Sequence, residues 1–502
     1  MGFITSKDKL TKIALSIIIS VAAALRLYRL SFHSFWGDEI LNINWPQLPS
    51  VRAIIDFLGP GDTSPPFYYL FMHFWIKLGL GEFIVRLPSA IAGVLTVFVV
   101  FKLAEALFGR RIGLLSAALV AVSPFYLWIS QEARMYSFLG LFCISSLYFF
   151  IDAIKTNKKS SWLSYVILSV LAFYTHYYAV FTIFAEFLYF IVLVPKNRKI
   201  ILGYIASSFS IILLLLPLFS FLGVQKAHST RIAWKLFLST VWSVPHAFFA
   251  FSAGSSLLQV ELTTFSRAIF SNTLLILIVT LFFAPVFIAG VIYLATKVKK
   301  INPVLFYFFI PLLTSYFVSW KIPLFGSKYL VAAVTCYYII LAFGLLSFRR
   351  GIAMFLLAGI LSVNAVSIYN YYFNDKFAKA PWREFVDFAR RHEKEGDVYI
   401  FTSFGLSEPF EHYYRGQIPR YAGLDKIFSI RPDLGNLLEK YDRVWFIPDN
   451  QRVFDPKDSV REYLNSNARL ESEYEIRGMK FSLFKVQSGS NKTDKQVHRT
   501  GE

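Results

Sequence analysis

From Leu10 to about Phe373 the chain alternates long apolar runs with short polar breaks. Runs of roughly 18 to 25 residues, the length an α-helix needs to cross a bilayer core, recur along it. They predict spans near 10–30, 84–108, 112–130, 134–154, 161–175, 177–194, 200–222, 272–295, 303–320, 328–347 and 352–373, about eleven in all. One apolar stretch, Phe67 to Gly79, covers only about 13 residues between Pro65-Pro66 and the glycines Gly79 and Gly81, which is short for a crossing. It is expected to lie in the interface as a helix. After Asn374 the pattern changes to that of a small α/β domain. Trp382 to Lys394 has helical periodicity, Asp397 to Phe401 and Arg443 to Ile447 look like buried strands, Val460 to Asn467 suggests a second helix, and Lys480 to Val486 alternates as a closing strand. The polar residues 488–502 are expected to be a disordered tail, so the chain divides into 1–373, 374–487 and 488–502.

Composition agrees with this map: with 56% apolar and only 17% charged residues, the chain is too apolar for a soluble globular protein. A formal charge of +19 would suggest nucleic acid as a partner of a soluble protein, but here the basic residues sit in short loops between apolar runs. These loops are Gly109-Arg110-Arg111, Lys155 to Lys159, Pro195 to Lys199, Lys297 to Lys300 and Arg349-Arg350. The positive-inside rule puts them all in the cytoplasm, together with the amino terminus that carries Lys7, Lys9 and Lys12. That assignment requires the Phe67 segment not to cross, and it leaves 31–83, 223–271 and the C-terminal domain outside. The first apolar run, which continues into Arg26-Leu27-Tyr28-Arg29, reads as a retained signal anchor. The two cysteines, Cys143 and Cys336, fall inside apolar runs and support neither a disulfide framework nor a thiolate metal site.

On the outer side, Asp38 and Glu39 follow Trp36 a few residues past the first span. A carboxylate at that level can take a proton from an attacking hydroxyl or help hold a metal that binds phosphate; equally, any outer loop contains acids. The stretch Ser130-Gln131-Glu132-Ala133-Arg134-Met135-Tyr136 joins two apolar runs almost without a loop and puts polar side chains on the same side. Arginine suits phosphate because its planar fork donates two hydrogen bonds and keeps its charge, while a snorkelling arginine in an ordinary turn is the plain alternative. Arg86, His176 in Tyr174-Thr175-His176-Tyr177-Tyr178, and Lys328-Tyr329 fall outside by the same map. A single histidine among tyrosines is more often structural than a ligand. Glu186, inside the sixth span, is expected to face the bundle interior. Phosphate-binding glycine loops, nucleophile elbows and paired-histidine zinc motifs are absent from the sequence, so an activated substrate already in the membrane fits better than a soluble nucleotide.

Four landmarks in this order, Trp36-Gly37-Asp38-Glu39, Pro65-Pro66-Phe67-Tyr68-Tyr69 with Arg86-Leu87-Pro88-Ser89, Ser130 to Tyr136, and Tyr174-Thr175-His176-Tyr177, make the first 180 or so residues resemble the GT-C glycosyltransferases. The likeness is to the branch related to protein O-mannosyltransferases and lipid A aminoarabinose transferases. Gly326-Ser327-Lys328-Tyr329-Leu330 is similar to that family's basic-Tyr-Leu element, and Ala380-Pro381-Trp382-Arg383 to a common opening of its outer domain. The resemblance implies a mainly α, polytopic GT-C fold that transfers a sugar from a polyprenyl or dolichyl phosphate carrier to a protein, lipid or glycan acceptor on the extracytoplasmic face. It implies Asp38 as catalytic carboxylate with Glu39 beside it, and Arg134, Lys328 and Arg86 toward the carrier's phosphate; Asp62, Glu132, Tyr136 and His176 are further site candidates. Ser64 stands where many relatives place a His or Lys before the Pro-Pro pair, so the donor or metal contact made by that residue has no direct counterpart; Asp62 is an acid nearby, and a divalent metal is left open. The expected reaction is an inverting single displacement through an oxocarbenium-like transition state, with cations neutralising the leaving phosphate. A lipid-linked sugar flippase or other transporter, and a membrane scaffold whose outer domain binds a partner, are the alternatives from other classes.

Overall fold

The computed structural model describes residues 6–61, 64–193, 195–228, 241–258, 272–298, 302–322, 325–422, 430–448, 455 and 458–486. The chain forms two compact units: Met1–Leu30 with Asn42–Phe373, and Ser31–Leu41 with Asn374–Glu502. The second grouping differs from the expected domain layout, which kept residues 31–41 with the membrane domain.

The first unit is helical, and helices occupy every segment expected to span. Among the described residues, seven are long and apolar enough to cross a membrane: Asp8–Leu27, Glu82–Phe108, Tyr136–Thr156, Arg198–Phe219, Thr273–Thr296, Ser327–Ser347 and Arg350–Phe373. The pair Arg110–Ala121 and Pro124–Ser130, bent by 60° at its break, would make an eighth. The remaining expected spans coincide with helices Lys159–Thr175, Ala179–Leu193 and Pro303–Val318, of 17, 15 and 16 residues. The chain is therefore a multi-pass membrane protein, and eleven crossings stay an expectation. At 67–79 the expected interfacial helix is a nine-residue helix, Phe67–Trp75, followed by a 3-10 turn. Its length cannot cover a bilayer core.

A knot of hydrogen bonds from two side chains ties the first helix to the bent pair. Arg26, fully buried, donates to the carbonyls of Ala22 (3.1 Å), Ala121 (3.1 Å) and Val120 (3.3 Å) and to Ser130 Oγ (3.3 Å). Two of those carbonyls end the Arg110–Ala121 helix, where intrahelical donors run out. Gln131 Nε2 does the same for the first helix, reaching the carbonyls of Leu25 (3.3 Å), Arg26 (3.0 Å) and Tyr28 (2.8 Å). Gly93 on the Glu82–Phe108 helix is required here, because a Cβ at that position would overlap the Ser130 hydroxyl and press on Arg26 Nε. Arg86 Nη1, also buried, donates to the Leu30 carbonyl at 3.0 Å and fixes the chain where it leaves this unit.

The second unit is a five-stranded sheet of order β2-β1-β3-β5-β4, with strands β1 (Asp397–Phe401), β2 (Arg420–Tyr421), β3 (Arg443–Ile447), β4 (Ala468–Ile476) and β5 (Met479–Val486). β1 runs parallel to β2 and β3, while β5 runs antiparallel to β3 and β4. The two-residue strand period sends Tyr399, Phe401 and Trp445 into one core, with Trp382, Phe385 and Phe410 from two helices. Val398, Ile400, Val444 and Phe446 enter the other, with Leu434 and Leu464. The expected strands and both expected helices are present, the helices as Trp382–His392 and Ser459–Asn467. Two further helices, Phe404–Tyr413 and Ile430–Lys440, and strands β2 and β4 also belong to the unit. The buried carboxylate of Asp397 receives Arg443 at 2.7 and 2.8 Å, Trp445 Nε1 at 2.9 Å and the Lys394 amide at 2.9 Å.

Residues 31–39 are held by this domain at several points. Arg383 donates to the carbonyls of Ser31 (3.1 Å) and Phe32 (2.7 Å), and its amide to Ser34 Oγ (3.1 Å). The Arg477 guanidinium lies 4.5 Å over the Phe32 ring. The Phe35 amide donates to Tyr413 Oη at 2.8 Å. Lys379 makes an ion pair with Glu39 at 3.2 Å and stands over the Trp36 ring at 5.8 Å; the Glu39 side chain is 0% exposed and that of Lys379 15%. Removing one member of a buried pair costs about 3–5 kcal/mol because the remaining charge stays in a medium of low polarity. Lys379→Met is therefore expected to lower the unfolding temperature of the purified full-length chain, and Glu39→Gln added to it should recover most of the loss. A midpoint unchanged by Lys379→Met would show that the pair does not hold the segment.

Candidate functional site

Asp38 and Glu39 open the helix Gly37–Asn44 and occupy its first turn, where the uncapped amides favour negative charge. Asp38 is half-buried, whereas Glu39 is buried and paired with Lys379. The two adjacent acids therefore have different environments, and Asp38 is the one with surface toward solvent. Gly37 has to be glycine, since a Cβ there would come within 3.0 Å of the Gly405 carbonyl on the helix Phe404–Tyr413. That contact brings Glu408 close enough for the Asp38 charge to act on it: burial first, then Glu411, then Asp38 push the Glu408 pKa up. Nothing in the sequence around Phe404 to Tyr413 marks it as a companion of Asp38.

Within the first unit, four of the expected residues come together around one tyrosine. The ring of Tyr136, buried at the start of the Tyr136–Thr156 helix, has the Arg134 guanidinium at 5.6 Å and the Lys328 ammonium at 5.2 Å. Tyr329, next to Lys328 in a 3-10 turn, packs 5.7 Å from Tyr136 and 5.0 Å from His176, and Tyr136 lies 6.0 Å from His176. These aromatic walls carry Arg134 and Lys328 by their electron-rich faces. His176 links the helices Lys159–Thr175 and Ala179–Leu193, and its Nδ1 accepts the Tyr178 amide at 3.1 Å. Burial, then the charges of Arg134 and Lys328, push its pKa down to about 3. The imidazole is thus neutral with Nδ1 as acceptor, which leaves Nε2 as an N–H donor. Two cations and a neutral N–H donor in one aromatic cage suit an anion with several oxygens.

The other expected residues are placed as follows. Glu132 lies buried in the same turn as Arg134, where its Oε1 accepts Trp128 Nε1 at 2.9 Å. The Arg134 carbonyl accepts Ser89 Oγ at 3.2 Å. Arg86 donates to the Leu30 carbonyl at 3.0 Å. Asp62 lies outside the described residues. Among the described residues no group of three or more His, Cys, Asp or Glu could hold a metal ion. The residues that sequence reasoning missed are Glu408 and Lys379 beside the acids, and Arg26 and Gln131 behind the turn. An arginine inside an apolar run was the available signal for Arg26, and the polar stretch from Ser130 to Tyr136 that for Gln131; Glu408 and Lys379 stand in unremarkable surroundings.

Residues 63–222 match the family model described as dolichyl-phosphate-mannose-protein mannosyltransferase. No curated protein matches the chain in sequence. Among solved structures, the chain is similar to ArnT from Cupriavidus metallidurans in the apo state, with a TM-score of 0.57 and 13% identity over 93% of this chain and 97% of that one. The ArnT structure bound to undecaprenyl phosphate gives 0.53 and 13% over 94% and 98%. The oligosaccharyltransferase of Archaeoglobus fulgidus in complex with Zn and sulfate gives 0.56 and 12% over 93% and 72%. The chain thus has the fold of the GT-C membrane glycosyltransferases, and residues 63–222 match the sequence pattern of the dolichyl-phosphate-mannose-protein mannosyltransferase family.

Proposed function

We propose that this protein transfers a sugar from a polyprenyl or dolichyl phosphate to a hydroxyl-bearing acceptor on the extracytoplasmic face of the membrane, with the amino terminus in the cytoplasm and the sheet domain outside. The observation that carries this reading is the gathering of Arg134 and Lys328 over Tyr136 beside a neutral His176. Such a cage in a chain of GT-C fold suits the phosphate of a lipid carrier. That the ArnT structure binds undecaprenyl phosphate supports the same donor class.

In the reaction the acceptor oxygen attacks the anomeric carbon as its proton passes to Asp38. The bond from that carbon to the phosphate oxygen breaks, and its electron pair leaves with the polyprenyl phosphate. One displacement at that carbon inverts its configuration. A phosphate leaving group needs charge neutralisation more than a proton, which is the part assigned to Arg134 and Lys328, with His176 Nε2–H as a neutral donor. Glu39, paired with Lys379, holds the first turn of its helix so that Asp38 faces the acceptor. The acceptor class spans protein, lipid and glycan hydroxyls, and membrane lipid surrounds the donor's chain.

Release of polyprenyl phosphate from labelled dolichyl- or undecaprenyl-phosphate mannose reports transfer to any acceptor, water included. Asp38→Asn is expected to lower that release by about a hundred- to ten-thousand-fold, the range for loss of a general base, with donor binding retained. Wild-type turnover in Asp38→Asn would sink the assignment. Label that crosses to the other leaflet of a liposome without bond cleavage would favour a transporter. Arg134→Gln should weaken donor affinity by about tenfold or more, as expected when a hydrogen bond to a charged group is lost. A direct measurement of donor binding in detergent checks it, and unchanged affinity would remove Arg134 from the phosphate site.

A further inference from the structure

The helix Phe404–Tyr413 lies along the segment that carries Asp38. Gly405, Glu408 and His412 follow one another at spacings of three and four residues, so they share one face of that helix. The two ends of this stripe are fixed on the segment: the Gly405 carbonyl abuts Gly37, and the His412 ring meets the Phe35 ring edge-on at 5.4 Å. Glu408 sits between these contacts, on the face turned toward residues 35–38. It is half-buried, and its surroundings favour its protonated form through burial, Glu411 and Asp38, in that order.

We propose that Glu408 is a positioning residue for the transfer reaction: as a second carboxylate supplied by the sheet domain, it faces Asp38 and shares the proton that Asp38 takes from the acceptor. The inference rests on Asp38 being the proton acceptor. Two carboxylates facing each other do not ionise independently; the charge of one raises the proton affinity of the other, and the pair titrates in two steps. In the transfer, the proton leaves the acceptor oxygen as that oxygen bonds to the anomeric carbon. It arrives on Asp38 and is held between the two carboxylates, while the electron pair of the broken bond leaves on phosphate. No oxidant or further reactant enters. Other charged groups on these elements include Glu411, which is engaged with Arg420 at 3.2 Å, Glu39 with Lys379 at 3.2 Å, and His412 on the same helix face. The two ion pairs are near neutral as units, which leaves Glu408 and His412 as the titratable groups of the stripe itself.

The test is the pH dependence of kcat/KM for polyprenyl phosphate release from labelled dolichyl- or undecaprenyl-phosphate mannose, measured on the full-length chain in detergent. Activity falls on the acid side as the pair takes up its first proton, which the two carboxylates share and which fills the acceptor position on Asp38. Removing the Glu408 charge lowers the affinity of Asp38 for that proton, so in Glu408→Gln the acid limb should move down by about one pH unit, with donor KM unchanged. Glu408→Asp, which keeps the charge but withdraws it by one methylene, should move the limb in the same direction by less, and it serves if the glutamine variant does not fold. A limb left in place by the folded variants, while Asp38→Asn is inactive, overturns this inference alone. Wild-type turnover in Asp38→Asn overturns the underlying reading and this inference with it.

Discussion

Inside a hydrocarbon layer no water completes the hydrogen bonds of a helix end, and every carbonyl exposed by a break in the helix has to find a donor within the protein. The chain breaks such a helix between Ala121 and Pro124, and Arg26 is the donor that makes the break tolerable. One guanidinium serves two terminal carbonyls of the Arg110–Ala121 helix and the Ser130 hydroxyl, while Gln131 and the Tyr372 hydroxyl serve the end of the first helix. The bend then delivers residues 130–136 as a compact polar turn. The cage around Tyr136 follows from it, because Arg134 and Tyr136 are carried by that turn.

The acids and the cations are supported by different means. Arg134 and Lys328 stand against the faces of aromatic rings, and His176 packs among the same rings. Asp38 and Glu39 are held by a folded sheet domain through Lys379, Arg383, Tyr413 and Gly405. Glu39 is neutralised in place. Asp38, one residue away, keeps a like-charged neighbour.

Much of this was legible in the sequence because the lipid phase imposes strong patterns. Apolar runs long enough to cross gave the helices of the bundle, and the short buried runs of β1 and β3 with the alternation of β5 gave most of the sheet. β4 was not legible: Ala468–Ile476 is an edge strand with Arg469, Glu471, Glu473 and Glu475 along it, and charge of that kind protects an edge from pairing while erasing the hydrophobic signal. The helix Phe404–Tyr413 was hidden by its glycine and proline. Arg134, His176 and Lys328 could be singled out because they stand at the ends of apolar runs, where a charge is conspicuous. Glu408 and Lys379 could not, since acids and lysines are ordinary in a soluble domain and only the fold sets them beside residues met hundreds of positions earlier.

That separation has a consequence for biosynthesis. Residues 31–41 emerge from the ribosome just after the first span, and their partners from Lys379 to Tyr413 emerge after the last one. At about 5–20 residues per second the interval is roughly twenty seconds to a minute. Throughout membrane insertion the Trp36 to Glu39 stretch is without the lysine and helix that shape it. Its assembly is a closing event, so a nascent or C-terminally truncated chain would carry the full bundle and its cation cage while lacking an ordered carboxylate segment.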